Sequence, residues 1–374
     1  MNVIGVSKHI QSIAQLFENA GSEFNPEWNA EEHFIINDYV ALPVFELECS
    51  ISVEEDIDIN DEHGNLLGVL CPTGGPGDTY SVNELSIHKL NAFIHDIDNE
   101  QFGLSQSHIF KSHYLLIHKD FITKYTSDFL ESAPIWGGFT HKARSPKYKK
   151  TITKITVSRK MFTPTIRHNT DLERAISAAN GFDRFLKYYH QLELLFDVIF
   201  VSKIRSLPKH SIEGFSSVVK DYQRKELESL KGIFKDYVTD PQALLSIMGS
   251  CAPYISTMEA VFQDYSKDGN PVTSDTTKWA NLLTFLQGND HTSARAKQLT
   301  LITQNTSSSL DQFILNLTAY WIYRIRCSIA HNKIGEFIFS DSHEEFIVEF
   351  GERLIKEVIM QIFSNNDLEL VLSS

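Results

Sequence analysis

The chain contains 374 residues, of which 42% are apolar and 22% are charged. This length allows two domains, and this composition excludes a chain that is disordered throughout. The net charge of −14 by itself argues against a polyanionic partner, because contacts to phosphate need lysine and arginine side chains.

The first third of the sequence combines helical and strand patterns. Apolar residues spaced three and four positions apart predict an amphipathic helix over residues 6–20, and a second helix is predicted over 85–97. Segments rich in isoleucine, valine and phenylalanine predict strands, and Pro43 is expected to separate the first two. The predicted strands are 33–42, 44–53, 66–71, 108–118 and 151–161. We therefore expect an α+β domain over residues 1–165, with a sensing or regulatory role.

The charge is unevenly distributed along the chain. Residues 1–136 hold 5 basic and 22 acidic side chains, whereas residues 137–210 hold 15 basic and 5 acidic ones. The basic residues concentrate in 141–167, here called the basic segment, which contains neither Asp nor Glu. One interpretation is a solvated segment that pairs with the acidic N-terminal part, and the other is a contact surface for nucleic acid. On the second interpretation, the RNA-binding candidates are Lys142, Arg144, Lys147, Lys149 and Lys150.

The rest of the chain carries mainly helical patterns. Apolar side chains repeat every three or four positions, and Gly, Asn, Asp and Pro residues separate the repeats. The predicted helices are 182–203, 211–238, 241–248, 256–265, 276–287, 309–330 and 342–362. Residues 166–374 are therefore expected to form an all-α helical bundle that follows the N-terminal domain.

One short segment at the end of predicted helix 309–330 combines an arginine with a histidine. Four residues separate Arg326 from His331, and the apolar side chains between them continue the helical pattern. The same spacing occurs at 205–210, but Pro208 lies within that segment and would break a helix. Only the first pair is therefore expected at the end of a helix.

This segment resembles the motif of the HEPN superfamily, in which four to six residues separate an Arg from a His at the end of a late helix. Residues 185–195 also resemble the first long core helix of cytoplasmic HEPN proteins related to abortive phage defence. The resemblance covers residues 171–363. Cys327 departs from it, because active members usually carry Asn, Asp or His after the arginine.

The resemblance implies a metal-independent endoribonuclease without a cofactor, which acts on RNA in antiviral defence and responds to a phage or host trigger molecule. Arg326 would hold phosphate oxygens, and His331 would transfer a proton. Glu193 on the first core helix, or as a second choice His190, would orient His331, although a helix-surface glutamate without a role remains an alternative. Further RNA-binding candidates beside the motif are Arg324 and Lys333.

One histidine per chain supplies only half of the acid and base pair that RNA cleavage requires. The resemblance implies a homodimer that brings Arg326 and His331 of both chains into one cleft. A different class of function stays open, namely a non-catalytic HEPN interaction module that binds RNA or a protein partner and regulates it.

The cysteines and the apolar segments bear on where the protein acts. The four cysteines lie far apart and form no C-x-x-C pair, so we expect neither a disulfide framework nor a cysteine-type zinc site. No apolar run approaches the ~18 residues that span a bilayer, and the first residues lack the features of a signal peptide. The sequence therefore predicts a cytoplasmic protein with no membrane partner, no metal site and no cofactor.

Overall fold

The chain divides into two units, Met1–Ser145 and Pro146–Ser374. This division falls inside the basic segment, whereas the sequence analysis places the boundary between residues 165 and 166. The computed structural model describes residues 3–28, 34–48, 55–61, 63–73, 78–103, 106–143, 148, 161–208, 212–222, 225–272, 276–331 and 335–373. Most of the basic segment, and the strand predicted at 151–161 apart from Met161, therefore lie outside the described residues.

The first unit mixes helices with strands, which confirms the predicted α+β class at this level. Its helices are α1 (Val3–Asn19), α2 (Ile87–Asp96), α3 (Ile122–Lys124) and α4 (Ala133–Trp136). Its strands are β1 (Pro26–Trp28), β2 (Phe34–Ile36), β3 (Tyr39–Val44), β4 (Glu46–Leu47), β5 (Ile57–Asn60), β6 (Leu66–Cys71), β7 (Tyr80–Ser81), β8 (Ser107–His108), β9 (His113–His118) and β10 (Phe139–Thr140). The helices expected at 6–20 and 85–97 correspond to α1 and α2.

Six strands form one antiparallel sheet in the order β1-β2-β3-β9-β6-β5. The central strand β9 buries side chains on both faces of this sheet. Leu116 packs in a cluster with Phe17 of α1 and Phe93 of α2, whereas Leu115 and Ile117 pack in a second cluster on the other face. Because both faces are covered, β9 has a continuous apolar sequence instead of an alternating one.

Pro43 lies inside a strand, so the prediction that it separates two strands is wrong. It belongs to β3 and pairs with Tyr114 of β9. Its carbonyl oxygen accepts a hydrogen bond from His141 Nδ1 at 2.7 Å. The nitrogen and the carbonyl of one strand residue point the same way, so the missing N–H of Pro43 lies on the His141 side and removes no bond to β9.

In the second unit, every regular element that the structure describes is a helix. The helices are α5 (Ile166–Ile176), α6 (Gly181–Arg205), α7 (Ile212–Tyr222), α8 (Glu226–Tyr237), α9 (Pro241–Gly249), α10 (Ile255–Glu259), α11 (Thr276–Gln287), α12 (Ser293–Gln298), α13 (Ser307–Ala330), α14 (Glu344–Phe346), α15 (Glu352–Ile362) and α16 (Asn366–Ser373). The helices predicted at 182–203, 241–248, 276–287 and 309–330 correspond to α6, α9, α11 and α13. The periodicity of apolar residues is therefore a reliable guide to this unit.

Residues 211–238 form two helices where the sequence predicts one. Helix α7 ends at Tyr222, and α8 begins at Glu226 after Lys225, which has an extended conformation. Tyr222 stacks on Phe200 of α6 at a centroid distance of 4.1 Å, whereas α8 packs against α13. Because α7 and α8 are separate helices, they contact different helices. The apolar pattern of the sequence continues from one to the other and does not predict the interruption.

Helix α13 lies at the centre of the core of the second unit. Its residues Ile314, Leu317, Trp321 and Ile325 are each at most 1% exposed, and Trp321 stacks on Phe262 at 4.8 Å. The helix packs against α6, α8, α9 and α15. Burial of each such side chain contributes about 1.5–3 kcal/mol, so this packing fixes the position of the C-terminal end of α13.

Glu344 of α14 joins distant parts of the second unit. The N–H of Gly181, the first residue of α6, donates a hydrogen bond to Glu344 Oε1 at 2.6 Å. The N–H of Tyr148 donates to Glu344 Oε2 at 3.0 Å, and the Tyr148 hydroxyl donates to Glu349. Glu344 is only 7% exposed, so one buried carboxylate holds the beginning of α6 and the residue at position 148 together.

Candidate functional site

The end of α13 brings Arg326 and His331 together. Arg326 lies near the C-terminal end of the helix, and His331 follows the last helical residue in an extended conformation (φ −122°, ψ 107°). Five positions along a regular helix would separate two side chains by about 140° around the axis. The change of backbone direction at His331 instead places its Nε2 3.2 Å from Arg326 Nη1.

Two carboxylates from other helices contact the guanidinium of Arg326. Glu193 of α6 accepts a hydrogen bond from Arg326 Nη2 at 3.3 Å, and Glu226 of α8 has its Oε1 3.5 Å from Arg326 Nε. The Arg326 side chain is 22% exposed, so these interactions are screened less than those on an open surface. Arg326 therefore links α6, α8 and α13 while one edge of it remains accessible.

Tyr189 contacts both Arg326 and Glu226. It precedes Glu193 by one turn of α6, and the centre of its ring lies 5.5 Å from Arg326 Cζ. Its hydroxyl donates a hydrogen bond to Glu226 Oε1. Burial, together with this hydrogen bond and the charge of Glu226, raises the pKa of Tyr189 far above its usual value. The hydroxyl therefore stays neutral and remains a donor to Glu226.

The protonation of Arg326 follows from these contacts. Partial burial acts to lower the pKa of the Arg326 guanidinium, but the charges of Glu226 and Glu193 outweigh it and the pKa is raised. A guanidinium has donors only, so Arg326 Nη1 is the donor in its contact with His331 Nε2. The site therefore combines a permanent cation with an imidazole.

Cys327 lies next to this pair and has a different character. It is 4% exposed, and burial raises the pKa of its thiol. A neutral buried thiol is a poor nucleophile. Cys327 is therefore a buried residue of the core and not a candidate nucleophile.

Glu193 lies at the site, but its partners differ from the expected one. The sequence predicts that Glu193 orients His331. In the structure its Oε1 contacts Arg326 Nη2, and its Oε2 lies 3.7 Å from His190 Nε2. Among the contacts described, Glu193 reaches His331 only through Arg326, so it positions the guanidinium directly and the imidazole indirectly.

Arg324, a predicted RNA-binding residue, lies in a different environment. Its side chain is 1% exposed, and its Nη2 donates to Glu336 Oε2 at 2.5 Å and to the carbonyl of Tyr265 at 3.0 Å. A guanidinium that is buried and paired in this way is not placed to contact an RNA phosphate. Arg324 therefore stabilises the fold, and we do not include it among the proposed RNA contacts.

Of the remaining RNA-binding candidates, only Lys142 falls within the described ranges. It belongs to the first unit, its side chain is 77% exposed, and its Nζ lies 3.0 Å from Glu131 Oε2. The other candidates, which lie outside the described residues, are Arg144, Lys147, Lys149, Lys150 and Lys333.

Sequence reasoning missed two residues of the site, Tyr189 and Glu226. Tyr189 lies four positions before Glu193, and this spacing on a helix places both on one face, so its participation could have been inferred. Glu226 offered no such signal, because it lies inside the single helix predicted at 211–238, whereas in the structure it is the first residue of α8.

No protein-family model, curated protein or solved structure matches this chain. Within the described ranges, no three or more His, Cys, Asp and Glu side chains are grouped so that they could hold a metal ion. None of the helices in those ranges has the length and apolar character needed to cross a membrane. The chemistry of Arg326 and His331 is therefore the basis for a functional proposal.

Proposed function

We propose that this protein is a metal-independent endoribonuclease of the HEPN type, with Arg326 and His331 as its catalytic residues. The observation that carries the proposal is the 3.2 Å contact between Arg326 Nη1 and His331 Nε2 at the end of a long buried helix. A planar cation beside an imidazole, a group that can accept and donate protons, suits the cleavage of RNA by its own 2′-hydroxyl. The proposed role is that of a cytoplasmic antiviral effector, which a phage or host molecule triggers and which acts by abortive infection.

In the proposed reaction, the 2′-oxygen of a ribose attacks the adjacent phosphorus and the bond from phosphorus to the 5′-oxygen breaks. A neutral His331 accepts the proton of the 2′-hydroxyl, and a protonated imidazole gives a proton to the leaving 5′-oxygen. Arg326 binds the non-bridging phosphate oxygens and stabilises the negative charge that develops on them. The products are a 2′,3′-cyclic phosphate and a free 5′-hydroxyl.

A single His331 supplies one of the two proton-transfer groups, so the proposal includes a homodimer. A two-fold axis beside the end of α13 would place the His331 rings of two protomers on opposite sides of one phosphate. Sedimentation at micromolar concentration is expected to show a dimer, and cleavage per molecule is expected to fall when the dimer is diluted. A monomer that still cleaves RNA would contradict the shared site.

The contacts of Arg326 set a condition for RNA binding. Arg326 is paired with Glu193 and Glu226, and it donates a hydrogen bond to His331 Nε2. A phosphate on Arg326 therefore competes with these carboxylates for the guanidinium charge, and His331 must be released before it can accept a proton. The exchange replaces one charge-assisted hydrogen bond with another of similar strength, so a modest change around the site can switch it.

The test of the proposal is the cleavage of a labelled RNA by the purified protein in the presence of a metal chelator. We expect Arg326→Ala and His331→Ala each to lower the rate by at least ~100-fold. Arg353→Ala and His63→Ala are matched controls at exposed positions and should retain the rate. An RNA with a single deoxyribose at the cleaved position should stay intact, since it lacks the attacking hydroxyl. Cleavage that survives in both site variants would overturn the proposal.

A non-catalytic module that binds RNA or a protein partner is the second candidate function. The observation in its favour is that the Arg326 guanidinium, with two carboxylates and His331 around it, also has the contacts of a structural ion pair. Such a module would shift labelled RNA in a gel and leave it intact at every time point. Bound but uncut RNA, together with a dimer in solution, would favour this function over the nuclease.

A further inference from the structure

A pocket of about 510 Å³ lies between α6, α7 and α8, beside the Arg326 site. The charged side chains that line it are Glu193, Asp197, Lys203, Glu226, Glu228 and Asp236. Among the described residues of the lining, five of these six are acidic, and one of the five, Glu228, pairs with Lys231 at 3.0 Å, so acidic side chains predominate there. Two of them, Glu193 and Glu226, are the carboxylates that contact Arg326. The pocket and the candidate active site therefore share two charged groups.

One wall of the pocket is aromatic. Phe196, Phe200 and Tyr222 line it, and the rings of Phe200 and Tyr222 stack on each other. The Tyr222 hydroxyl donates to Asp197 Oδ1 at 2.9 Å, which fixes a carboxylate at the edge of this wall. An aromatic surface bordered by carboxylates can cover the methylene groups of a ligand while it pairs with its positive charges.

Gly232 leaves space in the wall that α8 contributes. It lies inside α8, where glycine is less favourable than alanine. A Cβ built on Gly232 would meet no atom within 4 Å, so the packing of the fold does not require a glycine there. The missing side chain leaves open space in the wall of the pocket that α8 forms.

We propose that this pocket binds an aliphatic polyamine, and that the polyamine competes with Arg326 for Glu193 and Glu226. Five carboxylates repel a phosphate, whereas they attract the ammonium groups of a polyamine, whose methylene chain can lie on the aromatic wall. Because the two sites share carboxylates, a ligand at either site changes the affinity of the other site for its ligand. A polyamine in the pocket frees Arg326 for a phosphate, and a phosphate on Arg326 strengthens polyamine binding by the same factor.

Binding of the polyamine is independent of the proposed ribonuclease function, and only its effect on RNA cleavage rests on that function. The test is a calorimetric titration of the full chain with spermidine. The double variant Asp197→Asn, Asp236→Asn should bind spermidine at least ~10-fold more weakly, because two attractive charges are lost. Both residues line the pocket and neither is a partner of Arg326. Asp183→Asn removes one charge on α6 outside the pocket and should change nothing.

Gly232 provides a steric test with its own control. Gly232→Phe should fill the pocket and abolish spermidine binding, whereas Gly232→Ala should retain binding because its Cβ meets open space. Circular dichroism establishes that both variants are folded. Spermidine that binds equally well to the wild type, to Gly232→Phe and to the double aspartate variant would overturn the proposal.

Arg326→Ala tests the competition itself. With the competing guanidinium removed, spermidine should bind about fivefold more tightly or better. Unchanged or weaker binding would overturn the competition with Arg326. None of these measurements involves RNA cleavage, so they can succeed where the nuclease proposal fails. Binding of guanosine in this pocket without binding of spermidine would overturn the proposal in favour of a nucleobase site.

Discussion

Arg324 and Arg326 lie two residues apart on α13 and have opposite surroundings. The Arg324 side chain is 1% exposed and its partner Glu336 is 16% exposed, so this region is closed. The Arg326 side chain is 22% exposed, and its partners Glu193 and Glu226 are 32% and 28% exposed. Two positions along a helix differ by about 200° around its axis, which sends the two guanidinium groups to different neighbours. A buried ion pair stabilises the fold, whereas a partly exposed ion pair can exchange its partners.

The largest expected difference between the ion pairs of Arg324 and Arg326 is in their contribution to the free energy of unfolding. Arg324→Met should lower the free energy of unfolding by about 3–5 kcal/mol, because Glu336 then keeps only the more exposed Lys267 as a cation and loses its buried partner. Arg326→Met should cost about 1 kcal/mol or less, since water can reach the carboxylates that it leaves behind. Urea denaturation followed by circular dichroism measures both values. Equal losses of stability in the two variants would contradict the expected difference between the two ion pairs.

A smaller effect is expected from the hydrogen bond that supports the Arg326 region. Tyr189→Phe should lower the free energy of unfolding by about 1–3 kcal/mol, because Glu226 loses a buried donor while the ring under the guanidinium remains. The matched control is Tyr222→Phe, which removes a hydroxyl that bonds to Asp197 from a side chain that is 48% exposed. The control should cost less than ~0.5 kcal/mol. If both variants lose the same stability, Tyr189 has no special part in fixing Glu226.

The smallest expected effect is a pH dependence of the free energy of unfolding, which arises from Glu336, the partner of Arg324. Burial acts to raise the pKa of Glu336, but its hydrogen bond with Arg324 and the charge of Arg324 outweigh it, so the pKa is lowered. A carboxyl with a lowered pKa stabilises the fold above its unfolded pKa of about 4.3 and loses this contribution as the pH falls through the folded value.

Urea midpoints measured between neutral and acidic pH should therefore decrease below about pH 4 in the wild type. In Glu336→Gln, part of this decrease should be absent, whereas Asp183→Asn should keep the slope of the wild type. A slope that is the same in Glu336→Gln and in the wild type would show that another carboxyl is responsible.

Local patterns were sufficient to predict α6 and α13, two of the three helices that meet at the site. The apolar repeat predicted α13 and its end at residue 330, and this end fixed where Arg326 and His331 would lie. The same repeat could have revealed the burial of Arg324, because that residue follows buried Tyr320 by one turn and so shares its side of the helix. Periodicity tells which side of a helix faces the core, for charged as well as for apolar residues.

Other features depend on contacts that no local pattern contains. Glu226, which contacts Arg326, is the first residue of a separate helix α8, and α7 and α8 pack against different helices. Pro43 is tolerated inside β3 because its nitrogen faces His141, which lies almost a hundred residues later in the sequence. Such positions are decided by neighbours distant in sequence, and they become visible only when the fold is known.

The buried carboxylate of Glu344 comes late in the chain relative to the helix that it holds. It accepts a hydrogen bond from the N–H of Gly181, the first residue of α6, yet the ribosome adds it after both Arg326 and His331. Helix α15, which packs on α6, is added later still. A growing chain therefore already carries Arg326 and His331 while contacts that complete the packing of α6, the helix of Glu193, are still to be made.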